Sequence, residues 1–273
     1  MCRLRGVSGV VPPIYNTGAA TSEGDAVHRG PQVRAQGFTG SGVPVGVMSD
    51  TINKRGTGVA GSQASGDLPS TVQILDEPGS GTDEGRAMAE IVFDEAPGIP
   101  KIVFATGAGG PANRANNINA LVAAGAKVIA DDVVYLSQPF FQDGVIAQAA
   151  DAAKANGTAY FVSAGNRARQ SWEGTFTPSA STPAENDFDT GPGEDRRQTV
   201  AAVPAGQSLS VFVQWANPLG AVTDDYALDF YDANTSVPIG TINSDNVASG
   251  VPLEAAAVDG GGAGRTFALT IRR

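Results

Sequence analysis

The chain holds one cysteine and one histidine in 273 residues. Cys2 can close no internal disulfide and build no cysteine-based zinc site of its own. His28 sits in a stretch without hydrophobic period and reads as a surface or hydrogen-bonded loop residue. Positive charge is scarce too: 18 Lys and Arg face 28 Asp and Glu, a formal net charge of -10. That balance argues against a phosphate-binding face, and so against nucleic acid as a partner. Long apolar runs are also missing. The opening Met1 to Tyr15 is too short for a membrane span and poor as a signal h-region, so no targeting segment is visible.

Glycine and proline, by contrast, are plentiful at 35 and 17, without a collagen-like period, which implies many tight turns between short elements. A hydrophobic share of 41% supplies an ordinary buried core. Residues 1–35 show no period and read as an irregular leader. From Val43 to Met48 runs a buried-strand pattern, followed by Ser49, Asp50 and Thr51 and then a Gly- and Ser-rich loop over 53–70. Further strands are expected over 71–75, 101–105, 127–131 and 158–163. Helices are expected after Thr82 or Asp83 (apolar face Ala87, Met88, Ile91, Val92) and over 113–124 and 141–156.

Strands alternating with helices predict an α/β architecture: a doubly wound parallel sheet covered by helices on both faces, with ligands at the strands' carboxyl ends. This core is expected over residues 36–177. After it the texture changes to strand-like runs over 198–203, 208–215, 226–231, 237–242 and 265–271, with no helix among them. Residues 186–273 therefore read as an all-β sandwich or jelly-roll domain.

Three polar residues fall where the sheet argument puts a site: Asp50 past the first strand, Glu84 in the first turn of a helix, and Asn166 past the strand ending at Ser163. Singly, each has a plain alternative as a turn or cap residue. Together, Val45–Thr51, Gly81–Ile91 and Tyr160–Asn166 resemble, in order and spacing, three of the four signature blocks of subtilisin-like serine peptidases. The stretch from Asp131 to Asn166 is similar to a bacterial subgroup between subtilisins and sedolisins. The resemblance covers about residues 36–175 and implies a subtilisin-like sheet. Asp50 then corresponds to the triad aspartate, Asn166 to the oxyanion-hole asparagine, and Glu84 to the place of the catalytic histidine. With His28 as the sole histidine, a Ser-His-Asp triad is not available. Sedolisins, which pair a glutamate base with serine, usually carry an aspartate one helical turn after that glutamate, where this chain has Met88.

The implied activity is that of an endopeptidase working through an acyl-enzyme on protein or peptide substrates, with Glu84 as general base and Asp50 as its partner. The pair is expected to share one proton and to give an acidic pH optimum. The loops over 104–110 and 131–137 would flank an extended peptide. The fourth block, with the nucleophilic serine, has no match: Ser236 follows Asn234-Thr235 in an expected β-turn, and the serine is expected beyond Arg273. The rival expectation is an inactive module on a degenerate peptidase fold that holds peptide or carbohydrate. No cofactor is expected; Gly107–Gly110 lacks the full dinucleotide fingerprint, and the pairs Asp131-Asp132 and Asp224-Asp225 lack a calcium-loop spacing. By resemblance the protein is exported, extracellular or in the cell envelope. Oligomeric state is left open.

Overall fold

The computed structural model describes residues 21–167 and 170–273, which fall into two compact units. The first unit is drawn from residues up to Val134 and from Val145–Gly165; the second comprises Tyr135–Gly144 and Asn166–Arg273. The expected leader is corrected within its described part, because residues 23–35 form two short helices, α1 (Glu23–Val27) and α2 (Gly30–Ala35). Arg34 explains why they are ordered: its guanidinium pairs with Asp25 at 2.5 Å and donates to the carbonyls of Asp94 and Glu95, each at 3.2 Å. Those carbonyls end a helix and lack intrahelical donors.

The first unit continues with β1 (Val45–Ser49), α3 (Gly58–Ser65), β2 (Val72–Asp76), α4 (Glu84–Glu95), β3 (Ile102–Thr106), α5 (Pro111–Ala123), β4 (Val128–Asp131), α6 (Val145–Ala155) and β5 (Ala159–Val162). The strands form one parallel sheet in the order β2-β3-β1-β4-β5. Connections run from β1 out to β2, back to β3, then across β1 to β4. The strand order therefore reverses at β1, and its carboxyl end is where a doubly wound sheet opens a crevice. Alternate strand residues feed two cores. Val45, Val47, Ile102 and Phe104 pack with Ala89, Met88 and Val92 of α4. Met48, Val103, Ala105 and Ile129 pack with Ile118 and Leu121 of α5 and Ala149 and Ala153 of α6. The sheet thus carries helices on both faces, as its near-continuous apolar strands require.

Two expectations for this unit need correction. The stretch 53–70 is not all loop, since α3 occupies Gly58–Ser65; its Gly, Ser and Ala content gives no apolar period to read. On α4 the inward residues are Ala89, Met88, Val92 and Phe93, whereas Ile91 is 49% exposed. At the sheet's outer margin, β5 leaves Phe161 and Val162 63% and 57% exposed.

The second unit is built on antiparallel strands: β6 (Gln198–Val203), β7 (Ser208–Gln214), β8 (Ala227–Asp232), β9 (Pro238–Ile242), β10 (Leu253–Asp259) and β11 (Arg265–Arg272). One sheet has the order β6-β11-β8-β9, and β10 pairs with β7 in another. Leu228, Phe230, Phe267, Leu269 and Val211 form its core. The expectation of no helix is corrected by one turn, α7 (Asn246–Ser249), capped where the Asp245 carboxylate accepts the Ala248 N–H at 2.8 Å. Residues 135–144 join this unit because Gln214 binds them: its Nε2 donates to Leu136 O and Gln138 O at 2.8 and 2.9 Å, and its Oε1 accepts the Phe140 N–H. Among the described residues no helix is long and apolar enough to cross a membrane.

Candidate active site

The carboxyl ends of β1, β3 and β4 meet on one rim of the parallel sheet, and α4 begins above it. Asp50 follows β1 directly. Its Oδ1 accepts the N–H groups of Thr51 at 2.5 Å and Glu84 at 3.0 Å; its Oδ2 accepts the N–H and hydroxyl of Thr82 at 2.5 and 2.6 Å. Burial opposes the charge, but these donors outweigh it and hold the Asp50 carboxyl below the ordinary carboxylate range. The first amide of α4 is thereby tied to the tip of β1, and anionic Asp50 sits where the helix dipole favours it.

Asp83 anchors the same turn from the other side. It is buried and adopts φ +62°, a left-handed conformation that Asp tolerates better than most side chains. Its Oδ1 accepts the Thr51 hydroxyl and the Lys54 N–H, each at 2.7 Å; its Oδ2 accepts the Arg55 N–H and pairs with Arg86, each at 2.8 Å. Gly85 then lets the helix touch the sheet. A Cβ there would lie 2.5 Å from the Phe104 ring, 2.8 Å from Thr51 O and 3.2 Å from Ser49 Cβ.

The result is that Asp50 and Glu84 are brought together, but through Glu84's backbone. Among the described residues no hydrogen bond joins the two carboxylates, and Asp50 spends its lone pairs on amides and a hydroxyl. What the geometry gives between them is a backbone contact: Asp50 holds the turn that carries Glu84. Asn166 lies on the exposed bend after β5 and belongs to the second unit. Met88, one helical turn after Glu84, packs against the core. His28 is exposed, with its ring 3.6 Å from Glu95. Ser236 sits at φ +60° in the turn between β8 and β9, its N–H bonded to Asp232 O at 2.8 Å.

The Asp131-Asp132 doublet, set aside above as a calcium site, brings Asp132 to the same rim. Its Oδ2 accepts the hydroxyl of buried Ser49 at 3.0 Å. Burial foremost, helped by the charges of Glu84 and Asp131, pushes its carboxyl above the ordinary range against the pull of the Ser49 hydroxyl. Its neighbour Asp131 is a structural residue. It pairs with Arg114 at 2.5 Å, accepts the Val133 N–H at 2.9 Å and takes the Tyr160 hydroxyl. The only hint in the sequence is the doubled aspartate at a strand end. Among the described residues no group of His, Cys, Asp and Glu side chains is arranged to hold a metal ion.

The rim thus offers carboxylates with opposed tendencies, Asp50 held ionised and Asp132 pushed towards its neutral form, with Glu84 at the start of the helix between them in sequence. Pairs of acids driven apart in this way suit proton transfer. No protein-family model and no curated protein matches this chain.

Proposed function

We propose that this chain carries the acid–base half of a serine-type endopeptidase site of the subtilisin/sedolisin-like class, with Glu84 as general base in the place usually held by histidine. The carrying observation is the fastening of α4 to the tip of β1: the Asp50 carboxylate grips the Glu84 and Thr82 amides. This fixes a carboxylate-bearing helix start at the reversal point of a parallel sheet. In this reading Glu84 takes the proton of an attacking serine hydroxyl and returns it to the leaving amine, through an acyl-enzyme. Asp50 is a positioning residue acting through the Glu84 backbone. The serine is not Ser236, whose turn runs directly into β9 with no helix after it. The substrate is a protein or peptide.

The test uses the full gene product and a fluorophosphonate probe between about pH 3 and 8 (a range of roughly five units that includes the carboxylate values). Serine labelling that peaks at acidic pH and is lost in Glu84→Gln supports the reading. Labelling unaffected by that change, or none at any pH, overturns it.

A second reading, a module that holds its ligand without cleavage, is favoured by one observation in the second unit. A cavity of about 110 Å³ is lined by Trp172, Phe176, Asn186, Trp215 and Tyr226. Asn186 is buried, with its Oδ1 committed to the Thr177 N–H at 2.8 Å and its Nδ2 without a hydrogen-bond partner among the described residues. Aromatic walls with one spare amide suit a sugar ring or a peptide carbonyl beside an apolar side chain. Calorimetric titration with soluble oligosaccharides and with peptides, against Trp172→Ala, tests it; the absence of heat in both series removes it.

A further inference from the structure

We infer that the aromatic cavity of the second unit anchors one aliphatic side chain of a polypeptide, with Asn186 Nδ2 donating to a backbone carbonyl next to it; this rests on the binding reading above, whose ligand it names, and needs no cleavage. The lining residues, Trp172, Phe176, Asn186, Val213, Trp215 and Tyr226 among them, all belong to the second unit. The rings brace one another. Phe176 and Trp215 stand 5.4 and 5.0 Å from Tyr226 between centroids, and Trp172 stands 5.1 Å from Phe188. Trp172 lies along bare backbone, since a Cβ at Gly174 would fall 2.5 Å from its indole. Asn186 is held at two points: its backbone N–H donates to Ile271 O at 2.8 Å, and its Oδ1 accepts the Thr177 N–H at 2.8 Å. Because the Thr177 N–H can only donate, the amide oxygen must face it, which leaves Nδ2 as the unspent donor among the described residues.

Size and polarity together select the ligand. At about 110 Å³ the cavity is smaller than the roughly 150 Å³ in which an apolar protein cavity takes up benzene. A pyranose ring is bulkier than benzene and does not enter. The branched end of a leucine or isoleucine, with fewer carbons, does. The lining side chains are uncharged, and Tyr226 keeps its proton, because burial and then the charge of Asp224 push its hydroxyl above the ordinary value. The occupant is therefore neutral where it touches the walls. Few polar groups are left to meet it. Gln214 spends its amide on Leu136, Gln138 and Phe140, and Trp215 Nε1 donates to Asn217 Oδ1 at 3.1 Å. A sugar carries a hydroxyl on nearly every carbon and would strand most of them here, whereas a peptide asks for one donor beside an apolar pocket. A buried donor without an acceptor costs stability, and a carbonyl arriving with the side chain removes that cost.

Both tryptophans of the chain line the cavity, so indole emission reports on it alone. The experiment titrates the full chain with acetyl-Gly-Leu-Gly-amide, acetyl-Gly-Gly-Gly-amide and cellobiose. The leucine peptide should move the emission saturably to shorter wavelength. It should bind at least about tenfold tighter than the glycine peptide, the factor that burying one leucine side chain supplies, and cellobiose should change nothing. Asn186→Asp keeps an acceptor for the Thr177 N–H but removes the donor, and should weaken the leucine peptide by about tenfold. Val213→Phe fills the cavity and should abolish the response. Circular dichroism confirms that each variant is folded; should one unfold, Gly174→Ala, which displaces Trp172, replaces it and should weaken binding. Equal responses to the two peptides, or leucine-peptide binding untouched by either variant, overturns the inference. A response to cellobiose alone overturns the choice of peptide and leaves the binding reading, whereas no response to any probe removes both. Fluorophosphonate labelling is read separately and moves neither result.

Discussion

Asp83 shows how a single side chain can hold the turn that opens α4. It is buried, left-handed in backbone, and the acceptor for the Thr51 hydroxyl and two backbone amides as well as the Arg86 guanidinium. Asp83→Ala strands those donors and should lower stability by about 3 to 5 kcal/mol, as breaking a buried charge pair does. Asp83→Asn keeps the backbone preference and one acceptor oxygen, so its loss in a urea titration should be clearly smaller. Of the acids at this site, Asp50 was legible because a polar residue directly after a buried apolar run in an alternating chain marks a sheet's ligand edge. Asp132 was not. Adjacent residues at a strand end point to opposite sides, so one aspartate of the doublet reaches Arg114 and the other Ser49. A sequence cannot say which carboxylate will find a cation.

Helix α4 approaches β1 closely at Gly85, where no side chain intervenes. Gly85→Ala places a methyl carbon within 2.5 Å of the Phe104 ring and 2.8 Å of the Thr51 carbonyl. It should cost about 1 to 3 kcal/mol, the usual scale of overpacking, and should also weaken Glu84-dependent labelling by tilting the helix start. A loss in thermal midpoint with labelling unchanged would show that the helix start tolerates displacement. Parallel strands such as β1 and β3 were readable because both faces are buried and the run is apolar throughout. Strand β10 went unseen for the opposite reason. Ala255, Ala256 and Ala257 carry no period, and Glu254, which looks like a solvent residue, is buried and accepts the Ser244 N–H at 2.7 Å.

For the whole molecule, acidity acts on stability through several carboxylates at once. Asp50, Asp76, Glu77 and Asp83 all have folded values below their ordinary ones. For three of them burial pulls the other way and is outweighed by hydrogen bonds; for Asp76 the Asn117 and Asn113 amides lead. Their contribution is fully present above about pH 4, the unfolded range, and is lost as pH falls through the depressed folded values. Asp132 has the opposite sign: its raised value favours the folded chain at low pH, and that advantage fades as pH rises through the folded midpoint. Denaturation midpoints measured from pH 2 to 7, a span of roughly the carboxylate range, should therefore rise with pH, and Asp132→Asn should steepen their acid side. Each unit has its own spectroscopic reporter. Both tryptophans, Trp172 and Trp215, belong to the second unit, while the longer helices belong to the first. Phe104→Ala should shift the helical circular-dichroism transition, and Phe267→Ala the fluorescence transition, each by about 3 to 5 kcal/mol.

The outer margin of β5 has a practical consequence for anyone handling the protein. A strand that has no partner along one side among the described residues, with bare Phe161 and Val162 beside it, is a template for the same strand of another molecule. Concentrated stocks should accumulate β-rich aggregates seeded there, and a lysine in place of Phe161 should raise the concentration at which light scattering begins.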